Sequence, residues 1–255
     1  MIDAVVLAGG EDRGEIAAET GVIYRPLLDV GGKPILQRLL AALRGASEVD
    51  RVCLVAPPEV QAVASEIGVD LRVESGESFF DNLQRGVKET EPGTDQVLVI
   101  TGDLPLVTPA AINDLVRQSA SARADVAYAI IPKDSCERQF PEGRRTYVRL
   151  RDGTFTGGNG VVVTRQFVAM RGELIGRLYA ARKNPVKLAA LLGIGFLFGL
   201  VTGRLRIAQL EARASQLVGG RVSAIISTYP ELGFDVDKLE DLNLARRAAE
   251  PFDTA

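Results

Sequence analysis

The chain opens with short apolar runs that alternate with segments whose apolar residues recur at helical spacing. Ile2 to Leu7 is the first run. Arg51 to Ala56 (Val52, Cys53, Leu54, Val55), Leu71 to Glu74, Gln96 to Thr101 and Asp125 to Pro132 follow. Most lack a polar alternate position, the pattern of a strand covered on both faces. Between them, Pro34 to Arg44 places Ile35, Leu36, Leu39, Leu40 and Leu43 on one helical face, Pro57-Pro58 opens a helix predicted through Ile67, and Phe79 to Glu89 aligns Phe80, Leu83 and Val87. Thr108 followed by Pro109 predicts a capped helix start, with the helix running to about Ala120. Strand and helix in alternation predict an α/β fold with a mostly parallel sheet and helices on both faces. Ligands bind such sheets beyond the carboxyl ends of the strands. Three predicted strand tips, Ala8-Gly9-Gly10, Glu74 to Ser78 and Gly102-Asp103, would open on one rim.

From Lys133 onward the pattern changes. Arg144 to Arg149 and Gly160 to Val163 read as strands, joined by the glycine-rich link Phe155 to Gly160, a β-ribbon with a glycine turn. Helical patterns follow over Gln166 to Arg182 and from Asn184. The run Leu188 to Val201, broken by Gly193, Gly195 and Gly199, is shorter than the roughly 20 apolar residues of a membrane-spanning helix. It reads as a buried helix with a turn, and membrane association is not expected, although flanking Lys187 and Arg204 would suit an interfacial role. Leu205 to Leu217 reads as an amphipathic helix and Arg221 to Ser227 as the last strand. The simplest organisation is one domain over 1–255, with an N-terminal half (1–132), a C-terminal half (133–255) and a helical insertion at about 164–218 before the last strand.

Composition narrows the chemistry. Among 255 residues there is no histidine, which removes imidazole bases, His triads and His metal sites, and leaves carboxylates, Lys and Arg. The two cysteines, Cys53 and Cys136, are too few for a disulfide framework or a zinc site, and Cys53 reads as core. A net charge of −3 gives no global field for nucleic acid or anionic lipid, so a polyanion must be bound locally. No basic, apolar and small-residue leader pattern opens the chain, so a cytoplasmic protein is expected. Glycines 9 and 10, with Arg25 and Lys33 beyond them, suggest a backbone cradle for phosphate. Asp103 at a strand tip is placed for a hard cation such as Mg2+. Asp235 and Asp237 end a later apolar stretch, and alternation sets both on one side with Val236 on the other. If that segment lies beside Asp103, two carboxylates bracket one metal. The bland readings are caps and surface charge: Asp103 as a loop cap, Asp237 or Asp241 at the start of the last helix. Neither a Walker motif nor Gly-x-Gly-x-x-Gly is present, which disfavours hydride chemistry.

Val5-Val6-Leu7-Ala8-Gly9-Gly10, Arg25-Pro26-Leu27-Leu28, Gly32-Lys33-Pro34-Ile35-Leu36, Thr101 to Thr108 and Asp235-Val236-Asp237 with Glu240-Asp241-Leu242 together resemble the signature of the MobA-like NTP transferases. That group has a Rossmann-like, GT-A-type fold and is related to sugar-1-phosphate, cytidylyl and guanylyl transferases. Lys183-Asn184-Pro185-x-Lys187-Leu188 resembles an uncharacterised subgroup of it. The resemblance implies Mg2+-dependent nucleotidyl transfer from an NTP to a phosphorylated small molecule. Leu7, Ala8, Gly9, Gly10 and Gly102 would line the nucleotide, Ser75, Gly76, Ser78 and Asn82 would lie near base or ribose, and Arg25 and Lys33 would neutralise phosphate. Arg13 falls near a position where the family carries a cation. Asp103 and Asp237 would hold Mg2+, and Arg144, Arg145, Gly158 and Asn159 would meet the acceptor. Glu11 and Asp12 in the phosphate loop, and Arg25 where Lys is common, keep open the alternative of a weak or inactive nucleotide-binding module of the same fold.

Overall fold

Residue Ala4 packs against one face of the sheet and Val5 against the other, both fully buried, and this double burial is why the opening strand shows no alternation. The computed structural model describes residues 1–64, 68–91, 93, 95–171 and 193–249. Its strands are β1 (Ile2–Leu7), β2 (Asp29–Val30), β3 (Lys33–Pro34), β4 (Val49–Ala56), β5 (Leu71–Glu74), β6 (Gln96–Thr101), β7 (Val126–Pro132), β8 (Val148–Leu150), β9 (Gly153–Thr164) and β10 (Val222–Ile226). The main sheet runs β10-β7-β9-β6-β1-β4-β5, with β8 paired to β9. Neighbours are parallel except along β9, which runs antiparallel to β6, β7 and β8. β2 and β3 form a separate small hairpin.

Helices Ile35–Gly45 and Pro109–Ala122 cover one face, packing on Ala4, Val6, Leu54 and Leu98. All five apolar residues predicted to form the buried face of the first helix lie at 1% exposure or less. Thr108 caps the second, its Oγ1 accepting from Ala111 N at 3.2 Å, with Pro109 in the first turn. Helix Phe79–Glu89 covers the other face, where Leu83 and Val87 meet Val5, Leu7 and Val55. A third apolar cluster joins the opening loop (Ile16, Leu28, Val30) to Phe140, Phe234, Val236 and Leu242. Burying these side chains together pulls the Asp235–Asp237 segment across the chain to the strand-tip rim.

Three expectations change. The strand predicted over Arg144–Arg149 shrinks to Val148–Leu150. The glycine-rich link is not a turn. Gly157 and Gly158 lie within the twelve-residue strand β9, where added Cβ atoms would meet the Tyr128 hydroxyl and Ala129 Cβ respectively. Glycine serves here for close approach between strands. The run predicted as a buried helix ends in helix Ile194–Val201, whose Phe198 and Val201 are 62% and 86% exposed. Helix Ile207–Val218 follows before β10. The helix read over Gln166–Arg182 is seen only at 165–171. Its remainder, the Lys183–Leu188 motif, the start of the Leu188–Val201 run and the end of the helix predicted through Ile67 lie outside the described residues. No helix of the described residues is long and apolar enough to cross a membrane.

Candidate functional site

Parallel β1, β4, β5 and β6 end together, and the loops leaving β1, β5 and β6 enclose a cavity of about 560 Å³. Leu7, Gly9, Gly10, Glu11, Arg25, Gly76, Glu77, Ser78, Asn82, Gly102 and Asp103 line it. The predicted common rim is therefore a real concavity. A Cβ on Gly9 would lie 2.8 Å from Ser75 Cβ, whereas one on Gly10 would meet nothing within 4 Å. Neither glycine has positive φ, so position 9 requires glycine for close approach and position 10 leaves main chain open to the cavity. Ser78 Oγ caps helix Phe79–Glu89, accepting from Asp81 N at 3.1 Å. Asn82 Oδ1 accepts from Gly76 N at 2.6 Å, which fixes the amide and turns Nδ2 towards Gly9. Ala8 is buried, its N–H held by Val55 O at 2.9 Å.

The two acids of the opening loop part company. Asp12 is buried, accepting from Gly14 N at 2.7 Å and Arg25 Nε at 3.2 Å. The Gly14 N–H first, then the Arg25 guanidinium, holds its carboxyl below the usual range against the cost of burial. Asp12 is thus the anchor of Arg25 rather than a repellent beside phosphate. Glu11 borders the cavity and pairs with Arg13 at 2.8 Å. Arg13, 85% exposed at its side chain, does not line the cavity, a correction to its predicted role. Lys33 is exposed on β3 of the small β2–β3 hairpin and also stands outside the lining.

Asp103, Asp235 and Asp237 bring one carboxylate oxygen each to within 4.8 Å of one another. Val236 N donates to Asp103 O at 3.2 Å, which docks the two segments, and the Val236 side chain between the two acids is fully buried. Asp103 Oδ1 and Thr101 Oγ1 are buried without a hydrogen-bond partner. Burial pushes the Asp103 carboxyl up, and Asp235, desolvated and facing Asp103 and Asp237, is pushed up to about 6. Three crowded acids and an orphaned buried oxygen fit a hard divalent cation, whose preferred ligands are carboxylate oxygens. Asp235 was not among the residues assigned to the metal from sequence; its partner Asp237 two positions on was the available signal.

Arg25 Nη1 also meets Asp237 Oδ1 at 2.5 Å, so this cation spans Asp12 and Asp237. Arg145 is a correction. Its guanidinium lies 3.2 Å from Asp235 Oδ1 and 3.8 Å from Asp241 Oδ1, donates to Asp235 O, and sits over the Phe234 ring. At 12% side-chain exposure it is internal scaffolding for the acidic segment, not an acceptor ligand. Gly158 is likewise packed inside the sheet. Asn159 is half-buried in a bulge where residues 158–160 of β9 oppose only Ala129 of β7. Arg144 is exposed and outside the cavity lining.

Known proteins resemble the chain in sequence and in fold. The 2-C-methyl-D-erythritol 4-phosphate cytidylyltransferase of Frankia casuarinae is 32% identical over 158 residues, 60% of this chain and 56% of that enzyme, so the chain spans about half the length of that relative. The 3-deoxy-manno-octulosonate cytidylyltransferase of an Anaeromyxobacter species is 27% identical over 230 residues, covering 87% of this chain and 88% of that one. A hypothetical transferase from Thermus thermophilus superposes with a TM-score of 0.84 at 33% identity, over 95% of this chain and 100% of that one. CMP:2-keto-3-deoxy-manno-octonic acid synthetase complexed with CTP shares the fold, with a TM-score of 0.65 at 15% identity over 98% and 99% of the two chains. Residues 4–192, which carry the glycine loop, both other rim loops and Asp103, match the MobA-like NTP transferase domain, and the chain belongs to that family.

Proposed function

We propose that the chain transfers a nucleoside monophosphate from an NTP to a phosphorylated small molecule and releases pyrophosphate. One observation carries the reading: the Gly9-Gly10 main chain, Arg25 and Asp103, whose Oδ1 is buried and unpartnered, line one cavity, and Asp235 and Asp237 each bring a carboxylate oxygen to within 4.8 Å of that of Asp103. In this reading the Gly10 main chain lies along the triphosphate, and Arg25, steadied by Asp12, neutralises it. Asn82 and the Gly76–Ser78 loop hold base and ribose. An oxygen of the acceptor phosphate attacks the α-phosphorus in line, the bond from that phosphorus to the bridging oxygen breaks, and pyrophosphate leaves. Asp103, Asp235 and Asp237 would hold a divalent cation such as Mg2+, which when bound supplies neutralisation of phosphate charge. The protein's own task is positioning and charge stabilisation, which needs no imidazole.

The cytidylyl relatives make CTP the first donor to test. One of their names carries a phosphorylated acceptor and another a sugar acid named without phosphate, so the acceptor panel should hold both. The test is pyrophosphate release across NTPs and acceptors, with wild type beside Asp103→Asn. A loss of about 100-fold or more is expected for the variant. Turnover at the full rate would remove Asp103 from the site, and calorimetric CTP binding without turnover on any acceptor would favour the binding-module alternative.

A further inference from the structure

Apolar side chains are exposed together at a second place. Tyr128 of β7, Val148 of β8, Phe198 and Val201 of helix Ile194–Val201, and Ile226 of β10 are all exposed. Their elements adjoin: helix Ile194–Val201 packs on β8, and helix Ile207–Val218 on β10 beside β7. Inward from this surface lies an apolar cavity of about 330 Å³, lined by Tyr128, Ile130, Val148, Leu150, Leu200 and Leu210 among others. Apolar side chains exposed on adjoining elements beside an apolar cavity fit an interaction surface.

Four exposed arginines border it: Arg149, Arg151, Arg204 and Arg206. Arg204 lies over the Phe198 ring at 5.9 Å, Arg151 N donates to Leu205 O at 2.9 Å, and a Cβ on Gly203 would stand 3.2 Å from Arg149 Cγ. Among the described residues two acids lie here, and both are engaged. Asp152 pairs with Arg206 at 3.5 Å and accepts from Ile207 N, and Glu211 accepts from Ala224 N and Ser223 Oγ. The local charge is therefore positive around an apolar centre, within a chain whose net charge is −3. A second copy is a poor occupant, because a two-fold interface would set like arginines against one another. An anionic bilayer matches both features: apolar side chains enter the interface while arginines meet headgroup phosphates.

We propose that the surface built around helix Ile194–Val201 docks the protein on an anionic lipid bilayer, with Phe198 and Val201 inserting and Arg149, Arg151 and Arg204 engaging the headgroups. This goes beyond nucleotidyl transfer and does not depend on it. The test is co-sedimentation of the full chain with phosphatidylglycerol-containing vesicles and with phosphatidylcholine vesicles. Binding to the first and not the second is expected, reduced several-fold in about 0.5 M salt by screening. Phe198→Ser with Val201→Ser should cut the bound fraction about tenfold. The thermal midpoint should not move, because both side chains are already in water. No binding to anionic vesicles, equal binding to neutral ones, or undiminished binding by the double variant overturns the proposal. So does a dimer in sedimentation velocity that the double variant converts to monomer.

Discussion

The acidic segment Asp235–Asp237 is gripped from two sides, and in both places the grip is an arginine between two carboxylates. On the cavity side Arg25 spans Asp12 and Asp237, at the start of the one-turn 3-10 helix Arg25–Leu27, with 29% of its side chain exposed. Behind, Arg145 spans Asp235 and Asp241, stacked on Phe234 and 12% exposed. The pairs are alike in chemistry and differ in surroundings. Arg25 lines an open cavity and has somewhere to go when a polyanion enters. Arg145 is enclosed by the cluster that includes Phe140 and Phe234, and can only hold what it holds. Burial, rather than charge, separates a cation open to the cavity from a structural one.

The largest separation between the two regions should appear in turnover. Arg25→Ala is expected to lower kcat/KM for the NTP by about 100-fold, by analogy with loss of a single charge-stabilising donor. It should cost about 1–2 kcal/mol in urea denaturation, because the buried Asp12 loses one partner but keeps the Gly14 N–H, and Asp237 is exposed to water. A variant that unfolds instead would make Arg25 a second Arg145. Arg145→Ala should do the opposite, costing about 3 kcal/mol in urea denaturation because it strands enclosed carboxylates, with partial recovery in Arg145→Lys. Wild-type stability in the alanine variant would erase the distinction.

The smallest effect sharpens the metal reading. Burial, with Asp103 and Asp237 beside it, pushes the Asp235 carboxyl up to about 6, above its ordinary 3.8, so the cation-free protein gains stability from it at low pH and loses that gain as pH rises through about 6. The thermal midpoint of chelated protein should fall by a few degrees between about pH 4 and 7. Added Mg2+ should remove the fall at pH 7. A midpoint indifferent to divalent cations would count against the three carboxylates as ligands.

Much of the rim was legible because it rests on local rules. Ala8-Gly9-Gly10, Ser75–Ser78 and Gly102-Asp103 each follow a buried strand, and parallel strands must end on one side. The Thr108-Pro109 cap and the buried face from Ile35 to Leu43 are equally local. Gly157-Gly158 misled, since paired glycines also mark turns, and only the closeness of β7 shows that they are strand residues. Arg145 misled because a cation in a glycine-rich region resembles an anion ligand until Phe234 and Asp241 close around it.

The sequence by itself determined the alternation of strand and helix, which residues are core, and where the rim glycines and strand-tip carboxylate fall, because spacing and burial preference are properties of neighbours along the chain. Tertiary structure alone decided that β9 enters antiparallel between β6 and β7, that Asp235 joins Asp103 and Asp237, that Asp12 anchors Arg25, and that Phe198 and Val201 stand in solvent. Those outcomes depend on contacts between segments as far apart as Arg25 and Asp237, and on whether enough apolar surface lies opposite a helix to cover it. No local pattern encodes either.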